Sequence, residues 1–284
     1  MGALITRFAP SPTGFLHLGH AASALLARGY ARAAGGQFLL RLEDIDAGRC
    51  RAEFAAAIIE DLSWLGLDWD GPVRVQSAHV QDYRDCLARL QAMGVIYPCF
   101  CSRRDSAAAV GAPQGDAPPP YPGRCRTLGA EDVAARMAAG RAFAWRLDQA
   151  RARAMVDRRL GWHEVGVGWA EAAPERLGDV VLGRKDAPVS YFLAATHDDA
   201  VQQVNLVVRG EDLRAATAVQ VLLQALLGWP RPDYRHHALM RDGAGRRLAK
   251  RDGDVALRDW RAAGYLPSDV RKRLPEWHSM VTLA

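Results

Sequence analysis

"ALITRFAPSPTGFLHLGHAASALLARGYARAAGGQFLLRLEDID", Ala3 to Asp46, changes its periodicity twice. The apolar run "ALITRFAP" reads as a short strand halted by Pro10 and Pro12, which cannot donate to a ladder. "FLHLGHAASALLARGYARAAGG" follows as an alanine- and leucine-rich helix ended by Gly35 and Gly36. Phe38 to Leu42 reads as a second strand, running into the carboxylates of Glu43, Asp44 and Asp46. Strand, helix and strand at this spacing predict a right-handed crossover unit of a parallel sheet, and so an α/β fold.

Outward from this unit, "RAEFAAAIIEDLSWLGLDW" and "DYRDCLARLQAMGVIY" read as two amphipathic helices. From Cys99 to about Gly178 the rhythm breaks, with three cysteines, "GAPQGDAPPPYPG" and the arginine-dense "RLDQARARAMVDRR". This is expected to be an inserted subdomain. The α/β pattern returns in "VSYFLAATHDDAVQQVNLVVRGEDL", with an apolar strand near Asn205 to Val208 and a helix in "AATAVQVLLQALLGW". The expected division is 1–98 and 179–240 as two halves of one catalytic domain, 99–178 as the insertion, and 241–284 as a short C-terminal segment.

With 284 residues, 49% hydrophobic and 24% charged, the chain has the composition of a soluble globular protein of one large or two modest domains. The N-terminus lacks a signal-peptide layout, and no uncharged run approaches the roughly 20 residues of a bilayer span. A cytoplasmic protein without membrane contact is expected. The net charge of +5 favours a polyanionic partner, although such an excess is most often a solvated surface.

Five cysteines are an odd number in a chain with no secretion signal, which argues against a disulfide framework. Cys50 and Cys86 stand alone in helical patterns and read as packing residues. Cys99 and Cys101 in "YPCFCSRRD" and Cys125 in "YPGRCR" form a C-x-C pair with a third thiol across a loop, the layout of a tetrahedral zinc site, or else three unrelated thiols. The fourth ligand is missing from the spacing; Tyr121 is the nearest oxygen donor, and His163 is distant.

In an open parallel sheet, ligands bind beyond the carboxyl ends of the strands. His17 and His20 stand three apart at the start of the first helix, on one face, beside the partial positive charge and N–H groups of its N-terminus. That is an anion site, most naturally for phosphate. Gly14 and Gly19 present no side chain and would let a nucleotide approach closely.

Together, "RFAPSPTGFLHLGH", "RLEDID", "VVRGEDL" and "GRRLAKRDG" resemble, in order, the motifs of the class I glutamyl-tRNA synthetases. "HLGH" stands where that family has its HIGH signature, and "GRRLAKRDG" resembles its KMSKS loop. The resemblance spans roughly Ile5 to Gly253 and implies a Rossmann-like catalytic domain. Free glutamate carries two carboxylates and one ammonium, which Arg7, Arg209 and Glu43 match in number and sign. By resemblance, Arg7 and Tyr191 hold the side-chain carboxylate, Glu43 the ammonium and Arg209 the α-carboxylate, with Ala9 and Ser11 lining the pocket. His17, Gly19, His20 and Lys250 form the ATP site, with Mg2+ accompanying ATP; His17, His20 and Lys250 are the expected catalytic residues. The loop departs from the family pattern at Arg247, Leu248, Ala249 and Arg251 while keeping Lys250, so a weakened loop is expected.

From Lys250 to the end, 284 − 250 = 34 residues remain, below the roughly 50 at which domains usually begin. No anticodon-binding domain is therefore expected. The closer resemblance is to the truncated paralogues of the class, the glutamyl-Q tRNA(Asp) synthetases, whose zinc site implies Cys99, Cys101, Tyr121 and Cys125 as ligands of one structural Zn2+. These enzymes join activated glutamate to the queuosine at the wobble position of tRNA(Asp). Single-stranded loops are the usual targets of sequence-specific RNA recognition, and Arg151, Arg153, Arg158 and Arg159 could meet phosphates. The partners implied are L-glutamate, ATP and queuosine-bearing tRNA(Asp), with a monomer expected. The alternatives are a minimal glutamyl-tRNA synthetase charging a 3′ end and a catalytically inactive tRNA-binding paralogue.

Overall fold

The computed structural model describes residues 2–102, 121–240 and 255–274. In chain order it contains β1 (Ile5–Phe8), α1 (Leu18–Ala33), β2 (Gln37–Leu42), α2 (Ala52–Trp64), β3 (Arg74–Val75), α3 (Val80–Ala92), β4 (Ile96–Cys99), α4 (Ala130–Ala138), β5 (Ala144–Leu147), α5 (Gln149–Ala154), β6 (Gly161–Glu164), β7 (Gly168–Glu171), β8 (Val181–Gly183), α6 (Tyr191–Val201), β9 (Leu206–Gly210), α7 (Arg214–Leu227), β10 (Asp233–His237), α8 (Leu257–Ala262) and α9 (Pro267–Lys272). The described residues of Met1–Ala78, Gln203–Glu211 and Pro232–Ala284 form one compact unit, and those of His79–Gln202 and Asp212–Arg231 a second. No helix among them is long and apolar enough to cross a membrane.

The first unit holds the parallel strands. β1 pairs with β2 and β2 with β3 in parallel, and β9 pairs in parallel with β10, Arg209 opposite His236. Asn205, just before β9, fastens that strand to β1: its backbone N–H donates to the Ile5 carbonyl at 3.1 Å, and its side-chain oxygen accepts the Ile5 N–H at 2.7 Å. The parallel pairing of β1 with β2 that the sequence pattern predicts is therefore realised, with β1 at the edge of its three-stranded sheet. α1 connects β1 to β2 and turns Ala21, Ala24, Leu25, Ala27 and Ala31 inward. Small residues let the helix lie close, and the Thr6 hydroxyl donates to the Ala27 carbonyl at 2.8 Å. The helix begins at Leu18 rather than Phe15; Leu16 is fully buried beneath it.

The second unit is built on an antiparallel sheet. β4 pairs with β5 and β5 with β8. α3 stops earlier than its sequence pattern suggested, because Ile96 and Tyr97 belong to β4, where β-branched and aromatic side chains fit a half-buried surface. The hydroxyl of Tyr83, on α3, donates to both carboxylate oxygens of Asp198, on α6, at 3.0 and 2.8 Å, satisfying a buried charge. Asp179, 3% exposed, gathers the Tyr97 hydroxyl at 2.6 Å, the Arg126 guanidinium at 3.0 Å and the Gln149 backbone N–H at 3.1 Å. It ties β4, the 121–128 loop and α5 to one carboxylate.

Candidate functional site

Three buried charges of the first unit lie at carboxyl ends of parallel strands, where ligands bind in open α/β sheets. Arg7 is near the end of β1 and its Nη1 donates to the Val208 carbonyl at 3.5 Å, the residue before Arg209 on β9. Glu43 follows β2 directly, and its backbone N–H donates to the Pro10 carbonyl at 3.0 Å. Ala9 and Ser11, half-buried, flank Pro10 in the turn that leaves β1. Tyr191 is half-buried at the first position of α6, in the second unit.

Two neighbours of these charges were missed by sequence reasoning. Arg41 is fully buried, and its Nε lies 3.4 Å from Glu43 Oε1. The two-residue spacing of an extended strand puts Arg41 and Glu43 on one face, a signal that was available. His236 is the second. Arg209 Nε donates to His236 Nε2 at 3.3 Å, and His236 in turn stacks on Tyr234 with ring centroids 5.8 Å apart. The Arg209 guanidinium also lies over the Tyr234 ring, 5.3 Å from its centroid. Only the pairing of β9 with β10 brings these residues opposite one another.

The histidine pair forms a reciprocal cap on α1. His17 is the N-cap, with extended φ −124° and ψ 177°. Its Nδ1 accepts the Gly19 N–H at 3.1 Å, while His20 Nδ1 accepts the His17 N–H at 3.1 Å. The rings sit 3.8 Å apart between centroids. Because each Nδ1 accepts a backbone N–H, the proton of each neutral ring belongs on Nε2, which makes Nε2–H the donor these histidines offer a ligand. This modifies the sequence expectation in two ways. The Gly19 and His20 N–H groups are used by the cap and by the His17 carbonyl, so imidazoles rather than backbone amides would meet an anion here. The space beside Gly19, where a Cβ would come within 3.0 Å of the His17 ring, already holds that ring. Ser23, on the same helix, lies 2.7 Å through its hydroxyl from His237 Nε2 at the end of β10. Lys250, with Arg247 and Arg251, lies outside the described residues.

In the second unit Cys99, Cys101 and Cys125 come together with their sulfurs within 4.8 Å of one another and could hold a metal ion. Cys99 closes β4, so the cluster sits at a strand end; Phe100, Leu128, Val133, Met137 and Phe143 pack around it. The Tyr121 hydroxyl lies 3.4 Å from Cys99 Sγ and 3.2 Å from Cys101 Sγ, and Cys101 Sγ lies 3.6 Å from Cys125 Sγ. With metal–sulfur bonds of about 2.3 Å, a tetrahedron has edges of about 3.8 Å, somewhat shorter to oxygen, so this donor set has the size of a zinc site. Burial pushes the Cys125 thiol up, but hydrogen bonds from the Tyr121 hydroxyl, the Phe100 N–H and Cys101 prevail and bring it down to about 7. A thiolate at neutral pH is what a metal ligand requires. Lys185 Nζ donates to the Phe100 and Cys101 carbonyls at 3.0 and 2.8 Å, and the Arg146 guanidinium lies 3.9 Å from the Tyr121 ring centroid.

The other two cysteines behave as packing residues. Cys86 is buried on α3, where desolvation pushes its thiol up to about 11. Cys50 lies in the turn before α2, not in a helix, with its sulfur 4.0 Å from the Glu43 carbonyl.

Residues 3–275 match the family model described as tRNA synthetases class I (E and Q), catalytic domain. The chain is 49% identical over 284 residues to a glutamyl-Q tRNA(Asp) synthetase of Rhodobacter capsulatus, covering 95% of this chain and 99% of the relative. It is 45% identical to a protein of the same name from Symbiobacterium thermophilum, covering 94% and 84% of the two chains. A crystal structure of a glutamate tRNA ligase from Elizabethkingia meningosepticum, in complex with its amino acid, superposes with a TM-score of 0.73 at 30% identity. That match covers 89% of this chain and 53% of the other.

Proposed function

The chain belongs to the class I tRNA synthetase catalytic-domain family, among the glutamyl-Q tRNA(Asp) synthetases, and on that premise we propose that it activates L-glutamate with ATP and transfers it to the queuosine of tRNA(Asp). The observation that carries this reading is the buried set of Arg7, Glu43 and Arg209 at the carboxyl ends of parallel strands, complementary to an amino acid with two carboxylates and one ammonium.

In the first step a glutamate α-carboxylate oxygen attacks the α-phosphorus of ATP. The bond from that phosphorus to the bridging oxygen breaks, and pyrophosphate leaves with its electron pair. In the second, a hydroxyl of the queuosine cyclopentenediol attacks the activated carbonyl carbon, its proton is released and AMP departs. Such chemistry depends on positioning and charge stabilisation. Arg209 holds the α-carboxylate, Arg7 the side-chain carboxylate and Glu43 the ammonium, with Ala9 and Ser11 lining the pocket. Arg41, 3.4 Å away, orients the Glu43 carboxylate. His17 and His20 donate through Nε2–H to phosphate oxygens, and Lys250 neutralises charge on the departing pyrophosphate, with Mg2+ bound to ATP.

Cys99, Cys101, Cys125 and Tyr121 would hold one Zn2+, whose part is structural: it cross-links β4 to the 121–125 loop. The enzyme acts as a cytoplasmic monomer. Mass spectrometry of tRNA nucleosides after incubation with labelled glutamate and ATP tests the reading. Label on an anticodon-loop nucleoside supports it, and label confined to the 3′-terminal adenosine overturns it.

A further inference from the structure

The second unit carries an exposed aromatic side chain that its core does not use. Trp169, on β7, keeps 43% of its surface exposed, and Val167 in the β6–β7 turn keeps 73%. The indole lies across the hairpin because β6 opens on Gly161, where a Cβ would collide with the Trp169 ring and the Ala170 carbonyl. Two guanidinium groups gather at that ring: Arg231 Cζ is 4.9 Å and Arg159 Cζ 5.7 Å from its centroid. Arg159 also reaches Glu171 at 3.2 Å, but both side chains are 66% exposed, and such a pair contributes little to stability. The chain leading into Arg159 is exposed at Arg151, Arg153 and Arg158, and Met155, Asp157 and Arg158 line a groove with Met93 and Leu226.

We infer that this face is an RNA-docking platform, on which an unpaired tRNA base stacks against Trp169 and its guanidiniums while Arg158, Arg159 and Arg231 meet the flanking phosphates. With part of its surface exposed, the indole offers an aromatic face that any base can stack on. Here two guanidinium groups, those of Arg231 and Arg159, flank the exposed indole of the hairpin. That composition fits a polyanion with planar bases. The inference rests on the reading that tRNA is the acceptor.

The test measures the affinity of fluorescently labelled tRNA(Asp) by anisotropy over a range of salt concentrations, alongside tRNA-free pyrophosphate exchange. Trp169→Ala weakens tRNA binding about fivefold or more, and Trp169→Phe, which keeps a ring, recovers most of it. Arg231→Glu, a change at an exposed side chain, also weakens binding and lowers the salt slope by about one phosphate contact. Exchange without tRNA stays at the wild-type rate in all three. Unchanged tRNA affinity in both Trp169→Ala and Arg231→Glu overturns the platform. Weakened binding in these variants, combined with no glutamate on any tRNA nucleoside in the wild type, upholds the platform and overturns the acceptor reading.

Discussion

His20 Nδ1 accepts the backbone N–H of His17 at 3.1 Å, and this contact closes a cap in which both imidazoles accept backbone N–H groups at the start of α1. The cap uses Nδ1 of both rings, and the phosphate contacts proposed for them would use Nε2. His17→Asn retains a side-chain acceptor for the Gly19 N–H but removes the Nε2 donor. Helix stability should change by less than about 1 kcal/mol, while kcat for pyrophosphate exchange falls about 10² to 10³, as for loss of an oxyanion donor. Thermal melts and exchange kinetics on one preparation measure both. A variant with normal exchange would leave His17 a cap and nothing more.

Arg209 is fixed through its Nε by His236, so a lysine in its place loses both that bond and the planar fork. Arg209→Lys is expected to raise the glutamate KM about tenfold or more and to leave the ATP KM within twofold. Steady-state exchange with each substrate varied in turn separates the two constants. Equal increases in both would show a general disturbance of β9 instead of a lost carboxylate contact.

Lys250 is expected to act in the transition state, on charge that develops only as pyrophosphate leaves. Lys250→Ala should then lower kcat and kcat/KM together by about 10² to 10³ with glutamate KM nearly unchanged, and Arg247→Ala should cost less. A normal exchange rate in Lys250→Ala would remove the lysine from the mechanism.

For the metal cluster, one zinc per chain is expected by elemental analysis, and Cys125→Ser should lose it. A chelator should lower the melting temperature of the wild type and leave that of Cys125→Ser unmoved, since structural zinc contributes folding energy. Full zinc occupancy in the variant would refute the ligand set.

Asp61, on α2, is fully buried, and neither carboxylate oxygen has a hydrogen-bond partner among the described residues; Arg261 Nη1 lies 3.9 Å away. Burial raises its pKa from 3.8 to about 6, with the Arg261 guanidinium opposing. A raised carboxyl pKa means that the folded state holds the proton more tightly than the unfolded chain. The resulting stability is present below about pH 4 and is lost as pH rises to about 6. Asp61→Asn should therefore raise the melting temperature at pH 7.5 and change it little at pH 4. The same shift at both values would place the effect in packing rather than ionisation.

The crossover unit was legible because its cues are local. Period, proline and glycine are properties of consecutive residues, and β1, α1 and β2 form where they place them. The histidine pair, the three cysteines and Arg7, Glu43 and Arg209 were legible as residue types at characteristic spacings. The end of α3 was misread because Ile96 and Tyr97 suit a helix face as well as a strand, and pairing of β4 with β5 decides between them.

The sequence by itself determined the α/β class, the chemistry available at the strand ends and the donor types of the metal cluster, because these follow from short-range order and side-chain identity. Only the tertiary structure decided which partners those groups meet. Arg209 finds His236 through the register of two strands, the residues 27 apart in the chain, Cys125 is drawn toward the thiolate by contacts with Tyr121 and Phe100, and the Trp169 indole lies over Gly161, where no side chain stands in its way. Orientation, desolvation and hydrogen-bond partnership are set by contacts between residues distant in sequence, and local pattern carries no record of them.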